Sequence, residues 1–222
     1  PVRRRDAAPY NALFQAQVWY DLGEYRQAAA LFDSIARGPR DSTASQVARH
    51  RVWTETLRAT ALAAAGDTGR LGAIADSVQR WGQASGYGRD RRLHHHVRGL
   101  LLAARGEDDS AAVEFRRAIF GPAVGYTRTN LELGRVLLRL HRPAEAAAWA
   151  EAGLRGPFDG TNTYVTQTEL AELAALAWDA AGDRERALTR YRQVAANWAS
   201  AEPSLRIRVE RARLRIAALS GR

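Results

Sequence analysis

Asp21-Leu22-Gly23-Glu24-Tyr25-Arg26-Gln27-Ala28 joins two segments of opposite character. Ahead of it runs an apolar stretch of helix length; after it comes an Ala-rich one. Gly between them is the residue that ends a helix in the left-handed conformation at little steric cost. The same junction returns at Ala65-Gly66-Asp67, Arg105-Gly106-Glu107, Leu140-His141-Arg142 and Ala181-Gly182-Asp183. A helix–turn–helix unit repeated five times predicts an all-α stacked helical repeat. It also directs the search for function away from a catalytic pocket and towards an extended binding surface.

Working outward from the turns, the first helix of each unit carries a small residue: Ala16, Ala59, Gly99, Gly134 and Ala175. A small side chain lets neighbouring helix backbones approach closely. Three residues later stands a large one: Trp19, Leu62, Leu102, Leu137 or Trp178. The second helix offers Ala28, Leu71, Ala111, Ala146 and Ala187, then Phe32, Ala75, Phe115, Ala150 and Tyr191, then Ile35, Val78, Ala118, Gly153 and Val194. Spacings of three and four put each set on one helical face.

These stretches resemble the tetratricopeptide repeat family. The likeness is carried by Asp21 to Ala28, by Gly106-Glu107 with Ala111, Phe115 and Ala118, by Gly182-Asp183 with Ala187 and Tyr191, and by the Leu133-Gly134 pair. It implies a right-handed superhelical solenoid of about five helix pairs plus a capping helix, formed by one domain over 1–222. The units fall at about 9–37, 52–81, 92–120, 127–154 and 168–197, with the cap at 203–219. The small residues lie 43, 40, 35 and 41 positions apart, against about 34 for the family. The excess is assigned to loops around Gly38 to His50, Gly82 to Arg91 and Arg155 to Thr163. Leu71 breaks the Ala rule in the second unit, and His141 replaces Gly in the fourth. The second unit is therefore expected to pack least regularly.

Composition excludes several chemistries. There is no Cys, no Met and no Lys; all 33 basic residues are Arg. That removes a thiolate nucleophile, a disulfide, a cysteine zinc site, a phosphate-loop lysine and a Schiff-base lysine. The longest apolar runs, such as Ala61 to Ala65, fall far short of the roughly 20 residues of a membrane span. The cytoplasm is the expected compartment, while a start at Pro1 instead of Met suggests a fragment or the C-terminal part of a longer protein and leaves an extracytoplasmic location open. The net charge of +9 raises a nucleic-acid reading. The distribution of Arg along much of the chain, instead of in one block, favours a coding bias towards Arg and Ala.

In the last helix, Leu205, Val209, Ala212, Ile216 and Leu219 form one apolar stripe, and Arg206, Arg208, Arg211, Arg213 and Arg215 occupy much of the rest. An open array needs a terminal helix with a solvated outer face, and this segment is read as that cap.

Three features are candidates for chemistry. Consecutive helical residues point about 100° apart, so His94, His95 and His96 cannot converge on a metal. One is expected to line the inner surface, one to pack between helices and one to face solvent. Asp108-Asp109 suits a helix start, and Glu169 and Glu172 share one helical face without forming a convincing acid–base pair. No Gly-x-Ser-x-Gly or Gly-x-Gly-x-x-Gly pattern occurs. The expectation is a chain that is no enzyme and holds no cofactor or metal.

The family resemblance implies that the first helix of each pair lines a concave groove. Carried over, the inner positions are Tyr10, Leu13, Gln17 and Tyr20; Trp53, Thr56 and Thr60; Leu93, His96 and Leu100; Arg128, Leu131, Arg135 and Arg139; and Glu169, Glu172 and Leu176. The Arg128–Arg135–Arg139 stripe is suited to an acidic peptide segment, since guanidinium forks grip carboxylates. Internal pairing with Glu169 and Glu172 is the competing reading. The family's carboxylate clamp for chaperone tails uses Lys and Asn, and this chain has no Lys. The expected function is a non-catalytic protein-interaction scaffold holding a partner peptide or helix. Tyr191-Arg192 and Ala201-Glu202-Pro203 are similar to repeat regions at the C-terminal end of bacterial signalling proteins, Ser/Thr kinases and transcriptional regulators among them. A nucleic-acid-binding repeat and a self-assembly scaffold are the alternatives.

Overall fold

A computed structural model describes residues 8–37, 43–119, 128–156 and 166–221, apart from the side chains of residues 8–11 and Ser204. Among the described residues the chain is all-helical. It forms two compact units, Pro1–Phe120 and Gly121–Arg222.

The first unit holds α1 (Ala8–Asp21), α2 (Tyr25–Arg37), α3 (Ala44–Ala64), α4 (Leu71–Ala84), a single 3-10 turn (Asp90–Arg92), α5 (Leu93–Ala104) and α6 (Asp108–Ala118). The second holds α7 (Arg128–Arg139), α8 (Pro143–Arg155), α9 (Gln167–Ala180), α10 (Arg184–Asn197) and α11 (Pro203–Ser220). Within each unit every helix packs on the next. In addition, α3 packs on α5 and α7 on α9.

The five turns share one hydrogen-bonding scheme. Gly23, Gly66, Gly106, His141 and Gly182 all have positive φ, +55° for His141 and +75° to +87° for the glycines. Each donates its N–H to the carbonyl three residues back, at 3.0–3.2 Å. The following residue donates to the carbonyl of Trp19, Leu62, Leu102, Leu137 or Trp178, at 2.8–3.0 Å. This pair of bonds is the Schellman motif, which satisfies carbonyls the ending helix would otherwise orphan. The large residues read from the spacing are thus the acceptors of the longer bond.

Four turns feed directly into the next helix. The N–H of Ala28, Ala111, Ala146 or Ala187 reaches the carbonyl of the residue just past the turn, at 2.9–3.0 Å. All four alanines are fully buried. The turn at Gly66 differs because Thr68-Gly69-Arg70 is inserted and α4 starts later. There the equivalent bond runs from Ile74 to Arg70, at 3.0 Å. Counted from the N-cap, Ile74 and Val78 occupy the places of Ala111 and Phe115. Leu71 is an extra buried residue of the first turn, which explains the broken Ala rule.

The assignment of 38–50 to a loop is corrected: residues 44–50 belong to α3. Thr43 accepts from the Gln46 N–H while Gln46 Oε1 accepts from the Thr43 N–H, a capping box that starts the helix at Ala44. Likewise α4 continues to Ala84, so helix takes up part of the segment assigned to the next loop. The stretch 157–165 lies outside the described residues.

The small first-helix residues serve two kinds of contact. A Cβ on Gly99 would lie 2.6 Å from the Phe115 ring, within its own helix pair. A Cβ on Gly134 would lie 2.4 Å from Leu173 of α9, across to the next pair. In the second unit, Leu131, Ala150, Leu170, Leu173 and Ala174 make one core cluster. Ala171, Ala175, Ala187, Tyr191 and Val194 make another, closed by Ala212 of α11.

Candidate functional site

Helix α9 begins at Thr166, whose hydroxyl accepts from the Glu169 N–H at 3.1 Å while Glu169 Oε2 accepts from the Thr166 N–H at 3.0 Å. The second carboxylate oxygen of Glu169 faces α7, where Arg128 Nη1 stands 3.4 Å away. Arg128 is only 2 % exposed, so the guanidinium is a packed group. Burial pushes the Glu169 carboxyl up, but the positive charge of Arg128, the Thr166 N–H and the charges of Arg208 and Arg135 outweigh it. The net shift is downward, and Glu169 is held ionised.

The same face of α9 continues through Glu172, Leu176 and Asp179 at four- and three-residue spacing. Glu172 accepts from Arg208 of α11, through Nε at 2.9 Å and also through Nη2. Asp179 takes both forks of Arg215, at 2.7 and 2.8 Å, and the Tyr191 hydroxyl at 3.0 Å. The Arg215 bond lowers the Asp179 carboxyl beyond what desolvation raises it. Between these two ion pairs stands Leu176, 47 % exposed. Arg135 of α7, paired with Glu132 at 2.8 Å, is exposed, as is Arg139. The alternate helices α7, α9 and α11 thus present charges largely compensated among themselves, with one apolar side chain open to solvent.

The positions read as a concave stripe divide on burial. Arg128, Leu131, His96 and Leu100 are buried, so they pack between helices and add nothing to the exposed surface. His96 shares a hydrogen bond with Thr60 at 3.2 Å and packs on Phe115. Gln17 is half-buried and donates to Asp21 at 2.9 Å, and Tyr20 meets Tyr25 edge-on at 5.2 Å. Trp53 is half-buried and donates through Nε1 to Asp90 at 3.1 Å. The side chain of Tyr10 lies outside the described residues. Of the rest, Leu93, Thr56 and Thr60 are buried and Leu13 is half-buried. In the second unit Arg135, Arg139, Glu169, Glu172 and Leu176 come together on α7 and α9. The competing reading of the arginines therefore holds for Arg128, which spends its charge on Glu169.

The histidine expectation is also corrected. No member of His94-His95-His96 faces solvent: His94 and His96 are buried and His95 is half-buried. His95 Nδ1 lies 2.8 Å from Glu114. Burial, with the charges of His95 and Arg98, lowers His94 to about 4.

Two arrangements escaped the reading of residues. Arg49 lies between Trp53 and Tyr87, 4.1 and 3.5 Å from the ring centroids, which pins the loop after α4 onto α3. Ser45 Oγ, which accepts from the Gly86 N–H at 2.7 Å, and the fully buried Asp90, which accepts from Ser85 Oγ at 2.6 Å, reinforce it. In the second unit Glu151 receives Arg190 Nε at 2.8 Å and Trp178 Nε1 at 3.2 Å, while Arg186 covers the Trp178 ring. Trp178 was legible as a packing residue, but its indole N–H needs a partner when half-buried, and that need was the available signal.

No protein-family model matches the chain, nor does any curated protein or solved structure. No helix among the described residues is long and apolar enough to cross a membrane.

Proposed function

We propose that the chain is a tetratricopeptide-like repeat acting as a non-catalytic protein-interaction scaffold, within a bacterial signalling or regulatory protein. The face of α7, α9 and α11 holds the partner segment. Its carrying observation is Leu176, 47 % exposed on a helix face whose charged neighbours are already paired. An apolar side chain in a rim of compensated charges is the pattern of a contact anchor, since binding there desolvates few unpaired charges. Arg135 and Arg139 at the edge supply orientation towards acidic groups of the partner. The cross-layer pairs Asp33–Arg58, Arg128–Glu169, Glu151–Arg190 and Glu172–Arg208 support the reading of many arginines as structural, ahead of a nucleic-acid surface.

The test is selection of peptides from a displayed random library on the whole chain, followed by calorimetry with the best binder. Leu176→Glu should weaken that peptide at least about tenfold, while Val113→Glu, at an exposed position of α6, should leave it unchanged. Failure to enrich any peptide, or equal losses from both variants, would refute the assignment of this face.

A further inference from the structure

Helix α11 has two apolar faces. Val209 and Ala212, 4 % and 2 % exposed, close the core of the second unit, with Ile216 and Leu219 packed beside them. On the opposite side stand Ile207, 54 % exposed, and Leu214, 70 % exposed. At 100° per residue these two differ by only about 20° around the axis, with Ala218 continuing the stripe. The outer side of α11 thus carries the most exposed large aliphatic of the helix.

The arginines of α11 fall into two classes. Arg208 and Arg215 lie on the flank towards α9 and are used by Glu172 and Asp179. Arg206, Arg211 and Arg213 are exposed, and none forms an ion pair among the described residues. Arg211 borders the Ile207–Leu214 stripe on one side; on the other stands Glu210, the single acidic residue of the helix, with Arg206 and Arg213 beyond it. We propose that this outer face is a docking site for an acidic amphipathic helix of a partner protein, which lays its own apolar stripe along Ile207 and Leu214 and sets carboxylates against Arg206, Arg211 and Arg213. The site is separate from the Leu176 face and does not rest on that assignment.

Charge selects the occupant. A second copy packed on this face would bring Arg206, Arg211 and Arg213 of both chains to one seam, six positive charges against only the two Glu210 carboxylates. A lipid surface needs a broader apolar face than two aliphatics about 10 Å apart. An acidic helix answers both features of the surface, since its residues three and four apart can present Leu and Glu in parallel rows.

The probe is a fluorescein-labelled amphipathic peptide of about 18 residues, with Leu along one helical face and Glu along both flanks. Its anisotropy is followed on titration with the whole chain. The peptide should bind, a Lys-for-Glu version should not, and Leu176→Ser should leave binding unchanged. The pair Ile207→Ser with Leu214→Ser should weaken it at least about tenfold, as should Arg211→Gln with Arg213→Gln. All four side chains face solvent, so an unchanged circular dichroism spectrum and melting temperature certify the variants. Absence of binding would overturn the proposal. So would equal binding of a scrambled peptide of the same composition, which would reduce the contact to bulk charge. Vesicles containing phosphatidylserine, or a DNA duplex of about 20 base pairs, provide the last arm. If either binds and loses binding on Ile207→Ser with Leu214→Ser while the peptide does not, the surface belongs to lipid or nucleic acid instead.

Discussion

His141 offers a measurement of turn energetics inside one molecule. It is the single non-Gly residue of positive φ among those described, at +55°, yet its turn makes the same two hydrogen bonds as the other four, at 3.1 and 2.8 Å. An L-residue in this conformation costs about 1–2 kcal/mol in steric strain. Replacing it by Gly relieves that strain but returns about 0.5–1 kcal/mol through the greater freedom of the unfolded chain. The net gain expected of His141→Gly is about 0.5–1 kcal/mol, which for a chain of this size raises the melting temperature by about 1–4 °C. The complementary variant is Gly182→His. Gly182 sits at the equivalent turn with φ +79°, and nothing lies within 4 Å of where its Cβ would be. The added side chain meets no obstacle, so its cost is purely that of the backbone, equal in size and opposite in sign. Urea unfolding of both variants should show shifted midpoints with unchanged slopes. A destabilised His141→Gly, or an unaffected Gly182→His, would refute the assignment of both turns to one conformational class.

Three further outcomes are expected. Gly82→Ala should destabilise more than Gly99→Ala, because its Cβ would lie 2.7 Å from the Asp90 backbone carbonyl whereas Gly99 confronts the Phe115 ring at 2.6 Å. Overpacking costs about 1–3 kcal/mol, more than the roughly 1 kcal/mol that Ala gains in helix propensity, and thermal melts of both will rank them. Arg128→Leu should cost about 3–5 kcal/mol by leaving the Glu169 carboxylate uncompensated, while Arg128→Leu with Glu169→Leu should recover most of it; a double variant as unstable as the single would remove the pair from the account. Stability should fall in two stages on acidification. His94 has its folded value lowered from 6.5 to about 4, so the unfolded chain takes up the proton first and stability declines as pH drops below about 6.5. Glu114, Glu151 and Asp179 are held below their ordinary values of 4.5, 4.5 and 3.8, so their contribution is present above those values and lost below them. His94→Gln should flatten the first stage, read as urea midpoint against pH, and leave the second.

The helical hairpins were legible because each ends in a backbone conformation that one residue type favours, and Gly marks it. The start of α3 was missed although Thr43-x-x-Gln46 spells a capping box, because attention to apolar periodicity passes over a polar first turn. The candidate surface was harder to read. Spacing placed Arg128 and Arg135 on one stripe of α7, but which of them is buried depends on Glu169, which lies 41 positions along the chain from Arg128. Helical spacing gives direction around one axis; it contains no information on the axis alongside. The sandwich of Arg49 between Trp53 and Tyr87 was invisible for the same reason.

Glu172 and Asp179 are seven residues apart, and so are their partners Arg208 and Arg215. Each pair is separated by the same 36 positions along the chain. The two bridges therefore act as teeth of one gear. Sliding α11 along α9 by one turn, about 5.4 Å, would disengage both together, and no half-step keeps either. Sliding of α11 along α9 is thus opposed by both bridges together, and a displacement that strains one strains the other.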